Sequence, residues 1–324
     1  MRKSARNRII IWSIVSVLLI GVLTMGIIGA RNFNGLNFRL FSFSNVDVEK
    51  MSTGNAEFDK NEVKSIDINW TSGAVKIKNS DTNKVEISEN VSDKNEDTAM
   101  RWSLDDGKLK IYENKNIFGF NWFSFGIFDS TRSKTLTVTL PKEISLDDFD
   151  ISAASADVSA ENINSDSLDI ETASGKIAVD NFEGNKADIN SVSGAIEFSA
   201  SSASSVEAEA VSGECTVSGK IDEIDASSVS GSLNLNVGKN NREINAETVS
   251  GSVNIKTNCD KSGFTANHSS VSGGFNSDFA GVTKDGRFIY GNGKAEYNIS
   301  TVSGSIEIQP FAEDELTKWL FELS

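Results

Sequence analysis

Polar and apolar residues alternate around a Ser-Gly dipeptide that recurs along the chain. Val, Ala or Thr precedes the serine in eight copies, whose glycines are Gly73, Gly175, Gly194, Gly213, Gly231, Gly251, Gly273 and Gly304. In a ninth copy, Ala156 takes the place of the glycine, and from there the copies follow at intervals of 19, 19, 19, 18, 20, 22 and 31 residues. Self-similarity of this kind is typical of a repeat architecture in which each copy is one structural unit.

Apolar residues fill the same positions in nearly every copy. They stand two and four residues after the glycine, as in Ile196 and Phe198, and five and seven residues before it, as in Ile189 and Ala187. The later copies add a valine two residues before the glycine. Polar residues occupy most of the positions between, so each copy predicts two short strands joined at a Ser-Gly corner, with one face inward and one outward. Glycine allows a corner geometry that a Cβ would hinder.

A single copy cannot bury its own apolar columns, whereas stacked copies bury a continuous core and pair every strand with the strands above and below. An antiparallel sandwich would not require the same residue type in the same phase of each copy. The sequence therefore predicts an all-β fold, a parallel β-solenoid with coils of about 19 residues. We expect regular coils over residues 151–310 and a less regular β-rich part over residues 46–150, whose last strand-like run ends at Pro141.

The amino terminus predicts a membrane anchor. Ile9 to Ala30 contains no charged side chain, and its 22 residues would span roughly 33 Å as a helix, enough for a bilayer core. Residues 1–8 are basic, through Arg2, Lys3, Arg6 and Arg8. The positive-inside rule places this end in the cytoplasm and the rest of a single-pass protein outside the cell membrane. The alternative is a cleaved signal peptide, although its apolar region is normally shorter.

Two further segments flank the repeat. Residues 31–45 contain four phenylalanines among Asn and Ser and are interpreted as a juxtamembrane linker with interfacial aromatics. Residues 311–324 predict a helix, with early acids followed by Leu316, Trp319, Leu320 and Leu323 at helical spacing. Because the last coil of a solenoid exposes its core and strand edges, we expect this helix to be an end cap. Docking to a partner or to the membrane surface is the alternative.

Composition and charge limit the classes of partner that the protein can bind. The chain has 324 residues with 31 Lys+Arg and 46 Asp+Glu, a formal net charge of −15. With the four basic residues before the anchor set aside, 27 basic residues stand against all 46 acids, so the exported part carries −19. Such an acidic surface argues against binding nucleic acid, which depends on neutralising phosphates. It suits a cationic partner, a neutral glycan or another envelope protein, and it repels anionic polymers and headgroups.

Candidate catalytic residues are few. The nine corner serines cannot all be nucleophiles in a chain with one histidine, so we interpret them as a hydroxyl ladder that bonds the corner backbone. That histidine, His268, falls in an inward column unless a local register shift turns it outward. Lys239 and Arg242 near Glu243 come nearest to the basic and acidic cluster of a polysaccharide-cleaving solenoid. They lie in a return segment, and the sequence predicts no enzyme and no cofactor.

Metal and disulfide sites are not expected. Cys215 occupies an inward column and Cys259 a return segment two coils away, so no disulfide is predicted between them. The outward acids lack the spacing of a calcium loop and are interpreted as solvated and scattered: Glu171, Glu197, Glu209, Glu247 and Glu307.

One aromatic segment departs from the repeat pattern and is the best candidate for contact with a partner or membrane. Six aromatic residues fall within residues 117–128: Phe118, Phe120, Trp122, Phe123, Phe125 and Phe128. An exposed apolar patch of this kind marks an interaction site. The alternative is that the segment covers the core of the amino-terminal coils.

The motifs support a resemblance to a known family. The apolar anchor, the run TLTVTLPK and the copies SVSGSLNL, TVSGSVNI and TVSGSIEI resemble the bacterial putative-adhesin domain of unknown function. This β-strand-repeat family includes the LiaG-like envelope proteins. The resemblance covers residues 46–310 and implies the fold and an envelope location, and it brings no catalytic residues. We therefore expect a non-catalytic, membrane-anchored binding or scaffold protein, an adhesin or a stress-related envelope factor. A polysaccharide-acting enzyme and a purely structural spacer are the alternatives.

Overall fold

A computed structural model describes residues 51–90, 99–113, 134–259 and 261–310, and every regular element within them is a β-strand of one sheet. The amino-terminal strands are β1 (Ser52–Thr53), β2 (Ala56–Asp59), β3 (Ser65–Ser80), β4 (Lys84–Asn90), β5 (Arg101–Asp105), β6 (Lys108–Tyr112) and β7 (Thr135–Pro141). The repeat region holds β8 (Leu146–Ser174), β9 (Ile177–Ser193), β10 (Ile196–Ser212), β11 (Cys215–Ser230), β12 (Leu233–Val237), β13 (Glu243–Ser250), β14 (Val253–Thr257), β15 (Phe264–Ser272), β16 (Phe275–Ser277), β17 (Val282–Lys284), β18 (Arg287–Tyr290), β19 (Ala295–Ser303) and β20 (Ile306–Pro310). The prediction of an all-β, solenoid-like fold is confirmed.

The repeat copies stack in parallel, with equivalent residues level with one another. Val158 of β8 lies beside Ile177 of β9, which lies beside Ile196 of β10, which in turn lies beside Cys215 of β11. Each step is 19 residues along the chain and one strand spacing, about 4.8 Å, in space. The columns two and four residues after the glycine and five and seven before it are buried in nearly every coil. The apolar pattern therefore sets both the coil length and the register.

The end coils do not stack in chain order. Strands β19 and β20 pair with β13 and β14 on one side and with β15 and β16 on the other. The last copy in the sequence thus lies between two other coils, and the copy around Gly273 is the outermost coil at this end of the stack. At the other end, β3 pairs with β8 on one side and with β6 and β7 on the other. Equal periodicity in every copy does not encode which copy is outermost.

A hairpin closes the stack beside the copy around Gly273. Strands β17 and β18 pair antiparallel, and β18 also pairs antiparallel with β15. The ring of Phe264 stacks on Tyr297 at 4.9 Å between centroids and lies 5.3 Å from Phe279 and 6.0 Å from Phe288. This insertion accounts for the interval of 31 residues before Gly304, and its aromatic cluster covers the core at this end.

Antiparallel strands cover the other end. Strand β4 pairs with β7, and β5 pairs with β6. Two buried residues, Glu113 and Lys134, replace the Ser-Gly corner of this layer. The Glu113 carboxylate accepts two backbone N–H groups of the next coil, at 2.7 and 3.1 Å, and Lys134 Nζ lies 3.0 Å from Glu89 Oε1. The ion pair and the carboxylate bonds satisfy polar groups that burial would otherwise leave costly.

The predicted flanking segments lie outside the described residues. These are the anchor over Ile9 to Ala30, the linker over residues 31–45 and the helix over residues 311–324. In the part of the chain that the structure describes, no helix has the length and apolar character needed to cross a membrane.

Close stacking explains the corner glycines. A Cβ built on Gly213 would lie 2.2 Å from the carbonyl oxygen of Gly194 in the neighbouring coil, far inside contact distance. The Gly194 N–H donates to the Ser212 carbonyl at 3.1 Å, and this bond repeats from coil to coil. The corner therefore has no room for a side chain and uses its backbone to bond the next coil.

The hydroxyl groups that bond the corners come from a different column than predicted. Three residues before the glycine, buried hydroxyls reach a corner carbonyl: Thr301 Oγ1 donates to Gly251 O at 3.1 Å and Ser191 Oγ to Gly194 O at 3.3 Å. The side chains of eight corner serines are exposed instead: Ser155, Ser174, Ser193, Ser212, Ser230, Ser250, Ser272 and Ser303. Their carbonyl groups face the stack, so the predicted ladder on their hydroxyls is corrected.

Candidate functional site

A column of carboxylates runs along the outer face of the stacked coils, six residues before each corner. In spatial order its members are Asp67, Asp150, Asp169, Asp188, Glu207 and Asp225, which we call the acidic ladder. Neighbouring rungs lie about 4.8 Å apart, the strand spacing. The column then continues as Asn245, Asn298 and Asn267. The amides of these asparagines bond to one another at 3.0 and 2.9 Å, so the column of acids ends in a column of neutral amides.

The repeat holds each rung in place. Asp169, for example, lies between Leu168 and Ile170, which are both fully buried. Because successive side chains of a strand point to opposite faces, burial of these two neighbours directs the carboxylate outward. The parallel register then places every rung level with the next. A like-charged row of this kind is a consequence of the fold and costs electrostatic energy that the core must offset.

Crowding and burial raise the pKa values of four members of the ladder. Burial, followed by the charges of Asp188, Glu171 and Asp150, raises the pKa of Asp169 to about 7. Burial also raises the pKa of Asp150, Glu207 and Asp225, with further contributions from neighbouring carboxylates. Asp169 therefore exchanges its proton near neutral pH, and a cation placed beside it would favour the ionised form.

Two lysines neutralise part of the ladder. Lys108 Nζ lies 3.6 Å from Asp67 Oδ2 and 3.4 Å from Asp150 Oδ2. Lys186 Nζ lies 3.8 Å from Asp188 Oδ2 and 4.0 Å from Glu207 Oε2. These side chains are partly exposed, so each pair contributes little to stability. The ladder thus keeps a strong negative potential that suits a cationic group.

The five outward glutamates of the sequence analysis do not form one site. Glu171, Glu209 and Glu247 lie four residues before the corner, beside the acidic ladder. Burial raises the pKa of Glu209 and Glu247. On another face, Glu197 pairs with Lys176 at 2.6 Å and Glu307 accepts the Gln309 amide at 2.9 Å. The interpretation of these acids as scattered is therefore corrected for the three that flank the ladder.

The acidic ladder is not among the sites predicted from the sequence. Its signal is present there, because an acid occupies the same position of six copies. Across the described ranges, no group of three or more His, Cys, Asp or Glu side chains is arranged to hold a metal ion. The ladder is a linear row with regular spacing, not a converging set of ligands.

Two of the residues that come nearest to a polysaccharide-cleaving cluster, Arg242 and Glu243, contact other parts of the stack. Arg242 Nη2 lies 3.0 Å from Glu223 Oε1, and Arg242 Nε lies 3.6 Å from Asp222 Oδ2. Arg242 thus forms ion pairs with the return segment of the preceding coil. Glu243 begins β13 and accepts the Asn245 amide at 3.1 Å. The geometry ties these groups to structural contacts.

His268 and the two cysteines follow the repeat positions. His268 keeps its inward column, level with Ile299, and its ring stacks on Phe275 at 3.9 Å between centroids. Burial lowers the pKa of His268. Cys215 is buried, and burial with the charge of Glu214 raises its pKa to about 12. Cys259 is partly buried, and within the described residues neither cysteine forms a disulfide bond.

The predicted aromatic contact residues lie outside the described residues: Phe118, Phe120, Trp122, Phe123, Phe125 and Phe128. Glu113 and Lys134, the described residues on either side of this segment in the sequence, are buried. Its role as a contact site stays a prediction.

Comparisons with known proteins agree with the repeat. Three solved structures are similar: a putative adhesin from Bacteroides fragilis (16% identity, covering 79% of this chain and 96% of that one, TM-score 0.46), a putative cell adhesion protein from Clostridium sporogenes (11%, 81% and 100%, TM-score 0.23) and a putative lipid binding protein from Parabacteroides distasonis (15%, 80% and 96%, TM-score 0.48). A search of curated proteins found no match. The model of the Toastrack DUF4097 family matches residues 63–309, well over half of the chain. The chain therefore belongs to the Toastrack DUF4097 family.

Proposed function

We propose that this protein is a non-catalytic binding or scaffold protein of the bacterial cell envelope, and that the acidic ladder binds a cationic partner. The observation that carries the proposal is the in-register row of six carboxylates, with the pKa of Asp169 raised to about 7. Parallel stacking presents the row along one face with a regular spacing of about 4.8 Å. A cationic partner that contacts several rungs relieves their mutual repulsion, and this favours binding.

The location is part of the proposal. Ile9 to Ala30 would hold the protein in the lipid bilayer with residues 1–8 in the cytoplasm and the repeat outside. The charge of −19 after the basic segment supports a cationic or neutral partner, such as an envelope protein with a basic surface. Among the roles that the family resemblance implies, these features support an adhesin-like role best.

The experiment measures binding of a cationic probe to the full-length chain in neutral-lipid nanodiscs. The probe is decalysine, and decaglutamate serves as the reference of opposite charge. The ladder variant is Asp169→Asn, Asp188→Asn and Glu207→Gln together. The matched control removes three exposed carboxylates outside the ladder: Glu161→Gln, Asp166→Asn and Glu183→Gln. Both variants change the net charge equally, so they separate the ladder from overall charge.

We expect decalysine affinity to fall about 10-fold or more in the ladder variant and less than about 3-fold in the control, since three adjacent contacts are lost at once. Binding should also weaken as pH falls below about 7, because Asp169 becomes protonated. Equal losses in the two variants would show that the ladder has no special role. Absence of decalysine binding to the parent protein would favour the spacer alternative.

A further inference from the structure

The valines two residues before each corner glycine are on the surface, whereas the apolar columns before and after them in each copy are buried. In spatial order the row contains Val192, Val211, Val229, Val249, Val302 and Val271. The first five are partly exposed, and Val271 at the end of the row is 75% exposed. Directly beneath the row lie small polar residues that are buried, such as Ser191 and Thr248. The corner therefore turns valine outward and hydroxyl groups inward.

Neighbouring valines are level with one another. The residues that flank them pair in register, for example Ala210 with Ser228 and Ser212 with Ser230. The row therefore repeats at about 4.8 Å and extends about 24 Å over its five steps. A straight apolar row of this length lies along one corner of the molecule.

The row lies in a strip with almost no charge. The strip consists of residues 191–195, 210–214, 228–232, 248–252, 301–305 and 270–274, and Glu214 is its one charged residue. The chain as a whole has a net charge of −15, and the acidic ladder lies a few residues before each corner. The valine strip is thus a nearly neutral surface on a strongly acidic molecule, with Glu209 and Glu247 at its edge, two residues before Val211 and Val249.

We propose that the valine strip is a docking surface for a second copy of this chain, with valine row against valine row. Two features select this occupant. A second copy carries an apolar row with the same repeat of about 4.8 Å, so the side chains of the two rows interdigitate along their whole length. Two copies that each carry −15 also repel one another elsewhere, whereas the neutral strip lets them approach.

Symmetry and charge together set the geometry of this pair. A closed pair of identical chains is related by a two-fold axis, which runs either along the rows or across them. We place the axis across the rows, which sets them antiparallel, because parallel rows would bring Glu214 against its own equivalent in the second copy. The middle of one row, between Val229 and Val249, then faces the middle of the other. The end of the row near Val192 faces the opposite end near Val271 of the second copy. Residues in the middle of the row therefore approach their own equivalents, and residues at its ends lie about 24 Å from theirs.

The size of the strip predicts a weak, reversible association. Five residues across and about 24 Å along give roughly 400 Å² per copy, about half of what one partner contributes to a standard interface of about 800 Å². The proposal is independent of the acidic ladder, which lies on a different set of outward positions. Variants of the ladder should therefore leave the association through the strip in place.

The test uses the full-length chain in detergent with single cysteines on exposed corner serines. Ser230→Cys and Ser250→Cys lie at the middle of the row, and Ser193→Cys lies at one end. A short bis-maleimide reagent should join the first two variants to covalent dimers on denaturing gels, at least 5-fold more than Ser193→Cys or the unaltered chain. The unaltered chain measures the background from Cys259.

Sedimentation from about 1 to 300 μM gives a second measurement. Val229→Glu with Val249→Glu should abolish the dimer, because two charges would face two charges across the axis. Ser202→Glu with Asn240→Glu adds the same charge at exposed return segments and should leave the dimer unchanged. The proposal is overturned if the parent chain is monomeric throughout, if both double variants behave alike, or if Ser193→Cys crosslinks as well as Ser250→Cys. Crosslinking of the folded single-cysteine variants keeps the test valid should the valine variant unfold.

Discussion

Replacement of Asp169 by asparagine should stabilise the protein at neutral and alkaline pH. The pKa of Asp169 rises from 3.8 to about 7 in the folded protein, because burial and the carboxylates of Asp188, Glu171 and Asp150 disfavour its charge. Between pH 3.8 and 7 the folded state keeps a proton that the unfolded state has released. The free energy of unfolding therefore falls as pH rises through this window and stays low above it. Asparagine removes the charge and hence the penalty.

The size of the stabilisation follows from the change in the pKa of Asp169. The difference between 3.8 and about 7 corresponds to an upper limit of about 4 kcal/mol at 1.36 kcal/mol per pKa unit. Asp169 is partly exposed, and solvent screening reduces this to about 1–2 kcal/mol. Asparagine also fits the column, because Asn298 donates its amide to Asn245 and accepts the amide of Asn267 in equivalent positions. The gain should not be offset by lost packing.

Thermal unfolding of the detergent-solubilised chain, followed by circular dichroism, tests this reasoning. At pH 8 the Asp169→Asn variant should melt several degrees above the parent, at about 2–4 °C per kcal/mol. At pH 5 the gain should shrink to about one third, since most of the titration window lies above that pH. Asp166→Asn, at an exposed position outside the ladder, should shift the midpoint by less than about 1 °C. A gain that is absent at pH 8, or equal at both pH values, would refute the electrostatic account.

Substitutions and a thiol reagent at three other places test the coil stacking, the two cysteines and the aromatic segment. Gly213→Ala should lower the free energy of unfolding, measured by urea titration, by about 3 kcal/mol or more, because its Cβ would meet the Gly194 carbonyl oxygen at 2.2 Å. Gly274→Ala is the control and should cost less than about 1 kcal/mol, because a Cβ there has nothing within 4 Å. Equal losses in the two variants would contradict the stacking argument. A thiol reagent at pH 8 should label Cys259 well before Cys215, whose pKa burial raises to about 12, and rapid labelling of Cys215 in the folded protein would show that its site is open. If the aromatic segment is a membrane contact, Trp122→Ala with Phe123→Ala should reduce co-flotation of a fragment starting at residue 46 with neutral vesicles. Unchanged flotation would reject that role. A lower melting point of the variant would favour the alternative that the segment covers the core.

The core of this fold could be predicted from the sequence because every copy meets the same requirement. A column such as Val158, Ile177, Ile196 and Cys215 is apolar because each residue contacts the one above and below it. The sequence shows the coil length and the parallel register for that reason. The order of the end coils could not be predicted, since a copy that is equivalent to its neighbours carries no mark of which lies outside. The order depends on insertions such as the β17–β18 hairpin, whose contacts are not periodic.

The candidate sites were harder to predict because they depend on outward positions, which the core does not constrain. Asp169 and Asn245 occupy equivalent positions between buried neighbours, and the backbone is the same in both coils. The valine column was visible in the sequence, and its exposure follows from the alternation of the preceding strand. In β13, for example, Ala246 and Thr248 are inward and Val249 is therefore outward. An apolar residue type alone suggests an inward column, whereas the alternation of the strand places this one outside.

The acidic ladder and the valine row change from coil to coil along the solenoid axis without a change in the core. Carboxylates occupy the ladder position from Asp67 to Asp225, and asparagines occupy it from Asn245 onward. The position two residues before the corner is Thr or Ala in the copies from β3 to β8 and valine from Val192 onward. The two exchanges fall at different coils, so the copies with Val192, Val211 and Val229 carry both a valine and a ladder acid, while the buried columns stay the same. Because the two positions are separate and neither contributes to burial of the core, charge and self-association can vary separately from each other, and the ladder and valine variants should show separable losses.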